Sequence, residues 1–161
     1  MLKRSKVKSL ISRFPRFEDE TLSLYYAPRM PKAMIKETEE AIALVRKFND
    51  EVARPLCLEV DRKTHEDPDY LPVELVKKAN EWGLYTLWIP KLFGGKGYNF
   101  PSISYAMEEL ASVCLGIANV VGVHYLGMTG LMMSCNTKIT KKVLSEVVEG
   151  EKTGDPCIIS F

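Results

Sequence analysis

The stretch from Gly83 to Asn99, GLYTLWIPKLFGGKGYN, constrains the backbone more than any other part of this chain. Gly83 follows a helical pattern and can adopt the positive φ that ends a helix. Pro90 cannot continue a helix and favours an extended conformation in the residue before it. Glycines at 94, 95 and 97 then permit a tight turn or a close backbone approach. The stretch therefore predicts a helix end, an apolar extended segment and a compact glycine loop, in that order.

Helical periodicity surrounds this stretch and predicts about five helices. The expected ranges are 35–63 with an interruption at Pro55, 72–82, 99–113 with a cap at Asn99 or Ser102, 116–135, and 137–150 with a cap at Thr137. The fourth helix is apolar nearly all round, which is typical of a helix inside a bundle. Asn136 is expected to take left-handed φ at its end, and Gly150 to end the fifth helix.

The last residues, 157–161, are apolar and β-prone, with the sequence CIISF. They predict the first residues of a β-strand. Because a lone strand is not stable in an all-helical domain, we expect the chain to continue into further structure. The expected fold class is therefore all-α, a bundle of about five helices ending in the first residues of a β-strand.

Composition excludes several classes of protein. The chain has 161 residues, of which 46% are hydrophobic and 27% charged, as in one soluble globular domain. Its formal net charge of +1 gives no overall attraction to nucleic acid or to an anionic membrane. No apolar run approaches the roughly 20 residues of a membrane span. Four cysteines without a CxxC pair, and only two histidines, predict free thiols in a reducing compartment and no metal site.

The first 17 residues carry six basic side chains, and no acidic residue precedes Glu18. Such a segment is compatible with an organelle transit peptide, which would place the protein in the mitochondrial matrix. The other interpretation is a flexible basic leader on a cytoplasmic protein, and we expect this one because the segment has little amphipathic length. Nucleic-acid binding is not expected, since few aromatic residues stand beside the basic ones. We assign residues 1–34 to a basic leader and extension.

Six motifs in the remaining sequence resemble, in order and spacing, the N-terminal helical domain of the acyl-CoA dehydrogenase family. They are Val52-Ala53-Arg54-Pro55 with Glu59-Val60-Asp61-Arg62, Pro72 with the helix to Trp82-Gly83-Leu84, Pro90 with the glycine loop, Glu108-Glu109-Leu110-Ala111, His124-x-x-Gly127, and Gly150-Glu151-Lys152. One departure is Cys135-Asn136-Thr137, where relatives usually have Gly-Thr. The resemblance implies that residues 35–154 form this helical domain and that residues 155–161 begin a middle β-domain.

The resemblance also implies an activity for the complete enzyme. Members are flavoenzymes that remove the α and β hydrogens of an acyl-CoA thioester, with a carboxylate taking the α proton and FAD taking the hydride. In the family the base and the arginines on the FAD diphosphate lie in later domains, so no catalytic residue is expected before Phe161. Phe161 resembles the aromatic residue ahead of a flavin-binding Thr-Glu motif and is the expected cofactor contact. The chain alone is not expected to hold FAD or turn over substrate, and the complete enzyme is expected to be a homo-oligomer.

In the family, the buried fourth helix lines the acyl pocket. Ala118, Gly122 and Leu126 share one face at spacing i, i+4, i+8, and we expect them to contact substrate. The small side chains at Ala118 and Gly122 suggest a longer or bulkier acyl group, or else simply permit close helix packing. His124 is expected to be a satisfied core or interface histidine, and Glu108 with Glu109 a solvated or capping face.

Two other functions remain open from the sequence. The first is an acyl-CoA oxidase or flavin monooxygenase built on the same scaffold. The second is a stand-alone helical module that binds a partner protein or an acyl carrier. A module would be polar on its outer faces, whereas a domain with missing neighbours would expose an apolar patch.

Overall fold

Helices make up most of the part of the chain described by the structure, which is residues 31–154 and 156–159 of a computed structural model. The elements are α1 (Lys32–Phe48), a π-helical turn (Asn49–Ala53), α2 (Arg54–Glu66), α3 (Val73–Glu81), two 3₁₀ turns (Leu84–Thr86 and Lys91–Phe93), α4 (Phe100–Ala111), α5 (Leu115–Met133) and α6 (Thr137–Thr153). Because α1, the π turn and α2 are continuous, these elements form five helical rods, and the all-α prediction is confirmed. The basic segment 1–17 and Phe161 lie outside the described residues, so the predictions on them stay predictions.

The interruption expected at Pro55 takes the form of the π-helical turn. Proline has no N–H and its ring crowds the carbonyl four residues earlier, so regular α-helical bonding fails there. The Arg54 N–H instead bonds to the carbonyl of Asn49, five residues back. Pro55 then lies in the first turn of α2, where a missing N–H costs nothing.

The glycine stretch folds back on itself after α3. Gly83 ends the helix at φ +68°, and Gly94 and Gly97 also take positive φ. Backbone bonds from the N–H groups of residues 96, 97 and 98 to the carbonyls of residues 86, 89 and 87 close the fold-back at 2.8–3.0 Å. Its apolar residues Leu84, Leu87 and Ile89 are at most 1% exposed, so this stretch forms part of the core rather than a surface loop.

The most extensive helix pair is α1 with α4. Inside it, the hydroxyls of Thr38 and Ser102 lie 2.9 Å apart, and the Asn49 amide donates to the Glu109 carbonyl at 2.7 Å. Arg46 makes a two-pronged pair with the Glu109 carboxylate at 3.1 and 3.0 Å. Glu109 is therefore an interhelical anchor, not the solvated or capping residue expected from the sequence.

Several helix ends differ from the expected positions. Asn99 caps α4 by accepting from the Ser102 N–H at 3.1 Å, as one of the two predicted caps. At the next boundary, Cys135 and not Asn136 takes the left-handed φ, at +55°. Asn136 instead caps α6, accepting from the Ile139 N–H at 3.2 Å in place of the predicted Thr137.

The end of the described chain also differs from the prediction. Helix α6 passes through Gly150 and stops at Gly154, where φ is +80°. Residues 156–159 follow without forming a strand. A strand needs a neighbouring ladder to bond to, and none is present among residues 31–154 and 156–159.

Helix α5 is only partly covered, although its apolar sequence predicted a helix inside the bundle. Leu115, Leu126 and Met133 are 76%, 64% and 76% exposed. An apolar pattern shows which residues avoid water but not how many neighbours cover them. By length and composition α5 is long and apolar enough to cross a membrane, although the sequence predicted no apolar run of that length. The core helix of a soluble protein passes the same test, so one such helix is weak evidence for a membrane span.

We predict that Gly95→Ala strongly destabilises the domain. A Cβ at this position would lie 2.2 Å from the Ile89 carbonyl oxygen, and the backbone there cannot yield without opening the fold-back. We expect the free energy of unfolding in urea to fall by about 3 kcal/mol or more.

Gly116→Ala is the matched control for this substitution. A Cβ there would meet only the Cys114 Sγ, at an ordinary 3.7 Å. The control should change the free energy of unfolding by less than about 1 kcal/mol. Equal stabilities for the two variants would contradict the role given to the Gly95 contact.

Candidate functional site

An open cleft of about 720 Å³ lies between α4 and α5. The two helices form a hairpin joined by residues 112–114, and each contributes one face to the cleft. The lining residues are Ser104, Met107, Glu108 and Ala111 from α4, and Leu115, Gly116, Ala118, Asn119 and Gly122 from α5. Both sets recur at intervals of three and four residues, which places each set on one side of its helix.

The chemistry of the cleft is mainly apolar. Small residues at 116, 118 and 122 open space along α5, and Met107 forms the opposite wall. A Cβ on Gly122 would lie 3.1 Å from the Met107 Cε, so the thioether occupies the room that the glycine leaves. Because methionine is unbranched and flexible, this wall can adjust to an apolar ligand. The volume is in the usual range of small-molecule pockets.

The predicted substrate residues are divided by the structure. Ala118 and Gly122 both line the cleft, whereas Leu126 is exposed and does not. With 3.6 residues per turn, a residue eight positions along a helix is rotated by about 80° and displaced by about 12 Å. The cleft occupies the first half of α5, so this rotation and displacement carry Leu126 past its end.

The cleft does not fit the diphosphate of a flavin. Such a group needs cationic side chains or free backbone N–H groups, and the lining contains no lysine or arginine but does contain Glu108. Phe161, the expected flavin contact, lies outside the described residues. We therefore assign no flavin-binding residue in the described domain.

Sequence reasoning missed Met107, Ser104 and Asn119 as cleft residues. Helical periodicity alone makes Met107 one more apolar residue of its helix, and only its position opposite Gly122 distinguishes it from core filler. The missed signal was the interval of three or four residues that links Ser104, Met107 and Glu108 on one face of α4. Such intervals show which residues share a helix face. They do not show which residue on the neighbouring helix leaves room for a cleft beside that face.

His124 lies within the domain and is fully buried, as expected for a core histidine. Its Nε2 is 3.0 Å from the Tyr85 carbonyl, and its Nδ1 accepts the Ile159 N–H at 3.2 Å. A carbonyl can only accept and an N–H can only donate, so the ring must be neutral with its proton on Nε2. Burial lowers the pKa of His124 to about 4, and the bond to the Tyr85 carbonyl opposes this shift only in part.

Two tyrosines surround this histidine. The rings of Tyr85 and Tyr125 lie 4.9 and 5.8 Å from the His124 ring, both edge to face. The Tyr125 hydroxyl donates to the Leu84 carbonyl, whereas the buried Tyr85 hydroxyl has no partner among the described residues. Burial raises the pKa of both phenols well above the ordinary value, so both stay neutral.

The described residues offer no metal-binding cluster. No group of three or more histidine, cysteine, aspartate or glutamate side chains converges within this part of the chain. The four cysteines are free thiols, and burial raises the pKa of Cys157, with a smaller contribution from Glu146.

Comparison with known proteins identifies the family. The family described as acyl-CoA dehydrogenase, N-terminal domain, matches residues 36–151, which is more than half of the chain. The chain therefore belongs to the acyl-CoA dehydrogenase family through its N-terminal domain. No solved structure matches the chain.

Three relatives illustrate this similarity. The short-chain specific acyl-CoA dehydrogenase of Clostridium acetobutylicum is 27% identical over 70% of this chain and 25% of its own length. The acryloyl-CoA reductase (NADH) of Anaerotignum propionicum is 26% identical over 78% of this chain and 31% of its own length. The mitochondrial short-chain specific acyl-CoA dehydrogenase of Bos taurus is 26% identical over 82% and 30%. The chain thus spans between a quarter and a third of the length of these curated relatives.

We predict opposite outcomes for removing the two buried phenol hydroxyls. Tyr85→Phe removes a hydroxyl without a partner among the described residues, so we expect the free energy of unfolding to stay equal or rise by up to about 1 kcal/mol. Tyr125→Phe leaves the buried Leu84 carbonyl without its donor and should cost about 1–2 kcal/mol.

Urea unfolding of the two variants beside the unaltered chain measures the difference. The two substitutions remove the same atom from neighbouring rings, so each is the control for the other. A loss of stability in Tyr85→Phe as large as that in Tyr125→Phe would mean that the Tyr85 hydroxyl does bond in solution.

Proposed function

We propose that this chain is the N-terminal domain of an FAD-dependent acyl-CoA dehydrogenase, which removes the α and β hydrogens of an acyl-CoA thioester. The cleft between α4 and α5 is, in this proposal, one wall of the acyl pocket. The supporting observation is the apolar cleft of about 720 Å³ within a domain of this family. An acyl chain needs an apolar groove without charge at its floor, and the small residues along α5 supply one.

Within this proposal the cleft residues have separate roles. Ala118 and Gly122 form the floor on α5, and Met107 forms the adjustable wall on α4. Leu126 would touch substrate only if the pocket extended beyond the cleft toward the end of α5. The small floor residues leave room for an acyl group longer or bulkier than a short straight chain. One relative is named as an acryloyl-CoA reductase, which is also compatible with an acyl-CoA thioester as the ligand of this family.

The remaining chemistry requires residues outside this domain. Glu108 lines the cleft, but this proposal assigns no carboxylate of the domain as the base, and the cleft lining does not fit the flavin diphosphate. FAD, the base and the contacts of a homo-oligomer belong in this proposal to further domains of the complete enzyme. The apolar side of α5 is exposed, which favours further domains that cover it. A stand-alone module, the alternative, would be polar there.

The first test is catalytic and uses the complete protein loaded with FAD. We expect it to reduce an artificial electron acceptor when given acyl-CoA thioesters, with activity that depends on the length of the acyl group. Full-length folded enzyme that binds FAD but reduces no acceptor with short, medium, long or branched acyl-CoA would contradict the proposed reaction.

The second test addresses the cleft. Met107→Ala widens the wall and should raise the ratio of kcat/KM for long over short acyl-CoA by about tenfold. Gly122→Leu fills the floor and should lower that ratio by a similar factor. The room gained in Met107→Ala admits one or two more methylenes of the acyl chain, whereas the leucine in Gly122→Leu excludes about as many.

Leu126→Ala is the control on the same helix. Leu126 is exposed outside the cleft, so its truncation should leave the length preference unchanged. A shift as large as that of Met107→Ala would mean that the pocket follows positions 118, 122 and 126, as the sequence spacing predicts. No shift in any of the three variants would remove the cleft from the acyl pocket.

A further inference from the structure

The segment of residues 156–159 has no regular secondary structure, yet it packs against α5. A Cβ on Gly127 would lie 2.8 Å from the Ile159 Cγ2 and 2.9 Å from its carbonyl oxygen. Only a glycine leaves space for this approach. Ile158 and Ile159 are also packed against the core cluster. The surface of α5 around Gly127 therefore fits the segment closely, and we call this surface the seat of the segment.

One hydrogen bond fixes the position of this segment on its seat. Within residues 31–154 and 156–159, the bond from the Ile159 N–H to the His124 Nδ1 is the only one that joins the segment to the helical domain. On the other side of the ring, Nε2 bonds to the Tyr85 carbonyl in the core. His124 thus links a core turn to the segment through its two nitrogens.

We propose that His124 is a positioning residue that holds residues 156–159 against α5 and releases them when its imidazole gains a second proton. Protonated Nδ1 becomes a donor and faces the Ile159 N–H, which is also a donor. That bond is then lost, whereas the bond from Nε2 to the Tyr85 carbonyl remains. The segment is the side that can move, because the Tyr85 side belongs to the fold-back in the core. The proposal does not depend on the proposed function.

Among the described residues, no carboxylate bonds to His124 that could compensate the charge of the cation. The ionisable groups that face it are the neutral phenols of Tyr85 and Tyr125, with the Cys157 thiol on the segment itself. From α6, Glu151 reaches the same 3₁₀ turn, where it accepts a bond from the Thr86 hydroxyl. Lys96 lies beside Gly83 at the start of that turn. Water that enters when the segment is released therefore stabilises the protonated His124 more easily than an ion pair inside the domain would.

The test uses NMR on the full chain, whose two histidines are His65 and His124. Long-range ¹⁵N–¹H spectra should show His124 as the neutral Nε2–H tautomer at pH 7.5, with exposed His65 as the internal reference. The protection of the Ile159 amide against hydrogen exchange should fall by about tenfold per pH unit between pH 6.5 and 4.5. The released histidine binds a proton with its ordinary affinity, whereas the packed histidine resists protonation. Each fall of one pH unit therefore favours the released state by about tenfold. Core amides such as Leu144 should keep their protection.

Variants separate the titration from the packing. His124→Asn keeps an acceptor near the Nδ1 position without a titratable group, so the Ile159 amide should stay protected at both ends of this pH range. His124→Phe should leave it unprotected at pH 7.5. Gly127→Ala should displace the segment through the collision with Ile159, whereas Gly122→Ala on the same helix should not.

Three results would overturn the proposal. They are an Nδ1–H tautomer at neutral pH, an Ile159 amide that is unprotected at pH 7.5, and equal loss of protection at Ile159 and Leu144 as the pH falls. The last would mean that acid unfolds the whole domain and does not release the segment. These measurements are made on the unaltered chain, so they decide the matter even if a variant fails to fold.

Discussion

The close approach of Gly95 to the Ile89 carbonyl is the contact on which the rest of the domain depends. Because a Cβ would lie 2.2 Å from that oxygen, the chain can fold back here only with hydrogen as the side chain. The fold-back presents the carbonyls of Leu84 and Tyr85 to α5. The Tyr125 hydroxyl donates to the first, and the His124 Nε2–H donates to the second. The rotation of α5 about its axis is thus set by polar contacts with a loop. Its apolar pattern alone could not set it, because it is nearly the same on every side.

The features that could be predicted from the sequence are those governed by local backbone chemistry. Proline removes a donor wherever it stands, so the interruption at Pro55 was predictable, although its π-helical form was not. Gly83 and the glycine loop behave as predicted because few other residues tolerate positive φ. Asn99 caps its helix for the same kind of reason, since a short side-chain oxygen reaches the N–H three residues on.

The features that could not be predicted depend on which surfaces meet. Cys135 takes the left-handed φ although its neighbour Asn136 tolerates it better, because the asparagine side chain is used to cap α6. Leu126 shares a predicted face with Gly122, yet the cleft ends before it. Met107 becomes a cleft wall only because Gly122 faces it. In each case the local preference is real, and a contact made elsewhere decides how it is used.

The small residues of α5 answer two separate demands, which the sequence left as alternatives. Gly127 serves close packing, since Ile159 occupies the space where its Cβ would be. Gly122 borders the cleft and gives room to a flexible methionine. The two glycines are five residues apart, so they point about 140° apart around the helix. The cleft and the seat of the segment therefore lie on different sides of α5, and a change at one can occur without repacking the other.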